Sequence, residues 1–353
     1  MASPEPSTSG RFWSAREDGR LECGICPRHC RLRPGQRGFC GARGRLGDRL
    51  LPLAYGCCSG FAVDPIEKKP LHHFLPGTRA LSFGAAGCNL ACRFCQNWEL
   101  SRGAATLALD GPYRPEAVAR AALDHGCRSV AFTYNEPLVS HEFCVDTAQA
   151  CREAGLRTVA VSSGYQCAGP REAFYRHMDA ANIDLKAFSD RFYRRLCGGR
   201  LEPVLETLRY LRRQTGVWLE VTTLVIPGGN DDPAELAALA RWLAAELGPD
   251  VPLHFSAFHP AWRMLDHPRT PAATLLAARR IALDAGLRHV YLGNLGIGEG
   301  EDTLCHVCGR RLIGRDGYTI RAWRLTEAGA CDHCGTPCPG VFEARPGSTG
   351  AGR

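Results

Sequence analysis

The sequence runs to 353 residues, 45% apolar and 22% charged, enough to bury a core and incompatible with a disordered or collagen-like chain. The net charge of +7 is concentrated in residues 11–49, where ten arginines face four acids; such an arm suits a solvated surface, an acidic protein or nucleic acid. Nineteen cysteines are too dispersed for a small disulfide scaffold.

The first ten residues lack a basic stretch followed by an apolar one, and no apolar run approaches the ~20 residues of a spanning helix. A cytoplasmic chain with no membrane contact is therefore expected. In that reducing setting cysteines serve as metal ligands or catalytic groups rather than bridges.

The cysteines suggest four parts in chain order. Residues 1–60 form a basic, Cys-rich segment carrying Cys23-x2-Cys26-x3-Cys30-x9-Cys40. Its prolines and glycines make it loop-like, so a metal would be needed to order it: zinc or an iron–sulfur cluster. Residues 61–301 alternate short apolar runs with amphipathic ones. Strands are expected at 80–85, 129–134, 158–163, 182–186, 217–225, 253–258 and 289–292. Helices are expected at 115–124, 138–154, 171–178, 204–214, 233–246 and 271–285. Repeated strand–helix units imply right-handed crossovers and a parallel sheet. The count predicts an α/β fold, a partial (β/α)6-type barrel with its working face at the C-terminal strand ends.

Residues 302–340 carry Cys305-x2-Cys308 and, 22 residues later, Cys331-x2-Cys334, around an alternating stretch at 318–323. Two such pairs close a tetrahedral zinc site, as in a zinc ribbon, with a redox or iron–sulfur site as the lesser reading. Residues 341–353 read as a flexible tail.

The sharpest signal is Cys88-x3-Cys92-x2-Cys95, just past the first barrel strand. Three close thiolates can hold three irons of a [4Fe–4S] cluster and leave the fourth iron open, the mark of a catalytic centre. Strand-end residues follow in order: Asn135 and Glu136, Ser162 and Ser163, then Asp184 and Lys186, which alternation puts on one face. His259 follows the sixth strand and could bind substrate or simply pack. His72 and His73, before the first strand, could line the site or pack.

The triplet, with Phe94 directly before its third cysteine, resembles the radical S-adenosylmethionine (SAM) enzymes. The stretches 23–30, 64–74, 87–101, 133–137, 182–188 and 290–294 together look like the radical SAM component of the AmmeMemoRadiSam system, a family similar to the pyruvate formate-lyase activating enzymes. The resemblance implies a [4Fe–4S] cluster on Cys88, Cys92 and Cys95 and SAM chelated to its open iron. Reductive cleavage then gives a 5′-deoxyadenosyl radical that abstracts hydrogen from a substrate, a protein in the activating enzymes. It places Asn135, Glu136, Ser162, Ser163, Asp184 and Lys186 around SAM. It also implies an electron donor and association with Memo-like and AMMECR-type proteins. The alternative is a metal-rich RNA- or protein-binding module whose barrel is catalytically idle. A radical enzyme must shield its intermediate, so the N-terminal segment or the His72–His73 stretch is expected over the barrel mouth.

Overall fold

The computed structural model describes residues 9–103, 109–296 and 298–343. The expected tail lies largely outside them. Eight strands make one sheet. β6 (Ala62–Pro65) is antiparallel to β7 (Arg79–Phe83). β8 (Ser129–Phe132), β9 (Arg157–Ser162), β10 (Ala180–Asp184), β11 (Trp218–Val225), β12 (Leu253–Ala257) and β13 (Val290–Gly293) follow in parallel, each beside its predecessor. β6 and β13 form the two edges, so the barrel is open. The seven expected strands are present within a few residues of their anticipated ends. β6 is an addition that no apolar run announces.

The helices cover the outer face. α2 (Pro115–Asp124), α3 (His141–Glu153), α4 (Ala168–Tyr175), α6 (Glu202–Gln214), α7 (Pro233–Glu246) and α8 (Ala272–Asp284) connect the parallel strands. α1 (Trp98–Arg102) and the single turn α5 (Asp190–Phe192) belong to loops. α6 shows why the pattern was readable: Val204, Leu205, Leu208 and Leu211 recur at helical spacing and are all buried. α7 starts where Asp232 caps the amides of Ala234 and Glu235 at 2.9 and 3.0 Å and Pro233 supplies a preset φ. The helical run expected at 138–154 is split, because Pro137 opens a 3-10 turn that ends at Ser140 before α3 begins.

The inside of the open barrel is filled from below. Ile66, Leu71, Phe74 and Leu75, in the link between β6 and β7, pack on Ala80, Ala131, Val159 and Ala180. Before the barrel, β1 (Trp13–Ala15), β2 (Leu21–Cys23) and β3 (Arg31–Leu32) form a small antiparallel sheet, and β4 (Arg43–Leu46) and β5 (Arg49–Pro52) a hairpin. A buried ion pair, Arg43 to Glu142 at 2.7 and 3.1 Å, clasps this arm to α3. After the barrel, β14 (Thr303–Leu304), β15 (Arg311–Asp316) and β16 (Thr319–Trp323) make a three-stranded sheet around the C-terminal cysteines. Arg315 fixes it to the barrel by donating to the His72 carbonyl at 2.7 Å. Among the described residues no helix is long and apolar enough to cross a membrane.

Candidate active site

A cleft of about 710 Å³ opens at the C-terminal strand ends. One side is the loop after β7, from which Cys88, Cys92 and Cys95 all face the cleft. The loop is braced along its length. Asn89 donates to the Tyr165 carbonyl at 2.7 Å, and the amides of Ala91 and Arg93 donate to the carbonyls of Cys197 and Leu196, each at 2.8 Å. Arg28, from the N-terminal arm, donates to the carbonyls of Asn89 and Gly198. Gly87 has φ +94°, and a Cβ there would run into the carbonyl oxygen of Cys40, so the loop passes close beneath the arm only because this residue is glycine. Phe94 is buried against Phe192, ring centroids 5.9 Å apart. Burial pushes the Cys88 thiol up to about 12; a bound cation would reverse that.

The strand ends supply the rest. Asp184 and Lys186 do share a face, paired at 3.0 Å, and both line the cleft. Burial works against the Lys186 charge, but Asp184 together with the Cys92 and Cys197 sulfurs outweighs it and the ammonium is held well above its usual range. Asn135 donates to the Ala85 and Gly87 carbonyls, while its Oδ1 is buried and unpartnered at the cleft wall. Glu136 behaves differently from its neighbours. Its carboxylate accepts from Ser163 N at 2.8 Å, Ser163 Oγ at 2.6 Å and Ser162 Oγ at 2.9 Å. It is a post that fixes the turn after β9, although burial raises its pKa. Ser163 lines the cleft, whereas Ser162 is turned away from it toward Glu136 and Gln166.

The far side holds residues that strand-end reasoning did not single out. His254 and Ser256 of β12, and Asn294 past β13, face the cleft, with Tyr318 of the C-terminal module beside them. His254 Nε2 is 2.6 Å from Glu220, which also accepts from the His72 and His73 amides at 3.0 and 2.8 Å. His72 reaches the cleft. Its ring is held neutral by burial and by Arg315, and Nδ1 is buried without a partner. His73 lies beneath, 2.5 Å from the Tyr291 hydroxyl. His259 does not line the cleft; its Nε2 points toward the Asn294 carbonyl, 3.4 Å away. Alternation along β12 would have pointed to His254 and Ser256, had the barrel's inner face been fixed first.

Two other cysteine groups stand apart from the cleft. Cys305, Cys308, Cys331 and Cys334 bring their sulfurs within 4.8 Å of one another and could hold a metal ion. Cys23, Cys26, Cys30 and Cys40 sit in the arm, with the Cys40 carbonyl against Gly87 of the triplet loop. Cys197, whose sequence context marks it only as a small residue, is brought beside the triplet loop, its carbonyl accepting from the Ala91 amide at 2.8 Å.

The radical SAM superfamily model matches residues 84–240. Uncharacterized protein MJ0808 of Methanocaldococcus jannaschii is 41% identical over 328 residues, 92% of this chain and 96% of that one. The pyruvate formate-lyase-activating enzyme of Clostridium pasteurianum is 26% identical over 169 residues, 47% of this chain and 69% of its own. The chain belongs to the radical SAM superfamily. Among solved structures, a radical SAM methyltransferase from Sphaerobacter thermophilus is 16% identical with a TM-score of 0.49, covering 84% of this chain and 80% of its own. Within this radical SAM protein the matched segment holds the triplet, Asn135, Glu136, Asp184 and Lys186. His72, His254 and Asn294 lie outside it.

Proposed function

We propose that this radical SAM protein is a hydrogen-abstracting enzyme in which Cys88, Cys92 and Cys95 carry a [4Fe–4S] cluster whose fourth iron is left for SAM. The observation that carries the reading is the opening of all three thiols onto one cleft, beside a charged Asp184–Lys186 pair and the unpartnered Asn135 Oδ1. The donor set suits the group: three soft thiolates for iron, and opposite charges with a spare acceptor for the ammonium and carboxylate of an amino acid. When bound, the cluster and SAM together supply an electron and the 5′-deoxyadenosyl group that takes a hydrogen atom.

The chain's own residues divide the remaining work. Glu136 fixes the turn carrying Ser163, and Phe94 and Leu90 keep water from the triplet side. His72, held neutral by burial, and His254, bonded to Glu220, face the other half of the cleft and suit a polar group of the substrate. The AmmeMemoRadiSam assignment, with Memo-like and AMMECR-type partners, rests on the sequence resemblance of the 64–74 stretch, from which Glu67, Lys68, Lys69 and His72 line this cleft. Zinc is our reading for the C-terminal four. Their sulfur pairs at 3.6 and 3.7 Å suit a tetrahedron with edges of about 3.8 Å, from Zn–S bonds of about 2.3 Å. The idle-barrel alternative is weakened by the arm, where seven of the ten arginines, Arg11, Arg16, Arg20, Arg28, Arg31, Arg43 and Arg45, have partners within the chain.

The test is anaerobic reconstitution followed by dithionite and SAM. Wild type and Cys127→Ala should release 5′-deoxyadenosine, and Cys92→Ala should not. Equal release by both variants overturns the reading.

A further inference from the structure

The arm's own backbone gathers its four cysteines. β2 and β3 pair so that the Cys23 amide donates to the Cys30 carbonyl at 2.9 Å. The chain turns tightly at 26–29, where the His29 amide donates to the Cys26 carbonyl at 3.2 Å. The Phe39 amide lies 3.5 Å from Cys30 Sγ, which brings Cys40 alongside. Cys23 and Cys26 are within electrostatic reach of each other and of Cys30, and Cys40 of both Cys23 and Cys26.

A positive charge lies beside these thiols: the buried Arg43 guanidinium is within electrostatic reach of Cys23 and Cys40, where it would balance the negative charge of metal-bound thiolates.

Spread separates the two kinds of site. Thiolates on a single zinc ion crowd together, as the C-terminal four do within 4.8 Å. Among the described residues no other group of His, Cys, Asp or Glu is that tight. The arm's four thiols, like the triplet, stand wider, as thiolates must when each sits on its own iron. We propose that Cys23, Cys26, Cys30 and Cys40 hold a second [4Fe–4S] cluster, one with every iron ligated by the protein. It orders a loop-rich arm and presses Cys40 against Gly87, so it buttresses the loop that carries the triplet. The proposal goes beyond the function above and stands on different residues.

Iron, acid-labile sulfide and zinc are counted in the anaerobically reconstituted full chain and in two variants. The Cys88→Ala/Cys92→Ala/Cys95→Ala protein should keep about four irons and four sulfides with cluster absorbance, held by the arm. The Cys26→Ser/Cys40→Ser protein should lose that complement and keep about four irons at the triplet. A triplet variant without iron, or with a second zinc in its place, overturns the proposal. If the arm variant fails to fold, the triplet variant alone still decides. Failure of the functional reading shows separately, as a wild-type protein that binds no more iron than the triplet variant does.

Discussion

Replacing Arg43 by leucine tests how the arm is fastened. Arg43 and Glu142 are 1% and 0% exposed and joined by two hydrogen bonds. Arg43 also donates to the Arg11 carbonyl at 2.7 Å, and the Arg11 amide returns a bond to Glu142 at 2.6 Å. Without the guanidinium a carboxylate is left buried with one backbone donor, a loss of about 3–5 kcal/mol. Because the pair bridges the arm to α3, the loss should appear as opening of the arm. Amide exchange in β4 and β5 should accelerate by about 10²- to 10³-fold or more, at 1.4 kcal/mol per factor of ten. Arg43→Leu/Glu142→Leu should recover at least half of the loss, since no lone charge remains. The pH dependence has a definite sign. Burial raises the Glu142 pKa, but Arg43 outweighs it and the carboxyl is held below its usual 4.5. The clasp's contribution is therefore complete above that value and is lost as pH falls through the lower, folded one. Unchanged exchange in Arg43→Leu, or a double variant no better than the single, would refute the argument.

Three further outcomes are expected. Gly87→Ala must strain a residue at φ +94° and push on the Cys40 carbonyl, so the triplet should lose iron, read by metal analysis, at a cost of about 1–3 kcal/mol in stability. Glu220→Gln keeps the shape but turns an amide NH2 toward a ring of donors that includes Trp218 Nε1 at 3.0 Å; a loss of about 1.5–3 kcal/mol should show in denaturant titration. If Cys305, Cys308, Cys331 and Cys334 hold a metal ion, chelating it should expose residues 303–338 to protease and quench or shift the fluorescence of Trp323, with α6 and α7 still protected.

The barrel was legible because its signals are local. The buried stripe of α6, the Asp232–Pro233 start of α7 and the continuous apolar run of β8 can each be read without knowing the rest of the chain. The triplet was legible for the same reason, as a short spacing with a chemical meaning. β6 was not, because its pairing with β7 crosses a connection that returns through the barrel interior, and its Asp64 looks like a loop residue until Lys69 meets it at 2.6 Å. His259 attracted attention as the histidine at a strand end; which histidine faces the cleft depends on the inward side of β12, and that is set by the neighbouring strands. Ser162 and Ser163 are adjacent and chemically alike, yet opposite pleats of one strand end send one to Glu136 and the other to the cleft. No local pattern links Cys197 to Cys92, since two backbone hydrogen bonds between distant loops bring them together.

Residues 66–75 are a plug pushed up into the half-open barrel, and that plug is held from the other end of the chain. Val341 exchanges hydrogen bonds with His73 and Leu75, the His73 ring rests against the Pro339 carbonyl at 2.6 Å, and Arg315 grips His72 from above. The last forty described residues thus work as a cork wire. A lesion among the four C-terminal sulfurs, none of which lines the cleft, would slacken the stopper and be felt at His72 on the cleft wall, so oxidative damage there and a change in what the cleft binds should travel together.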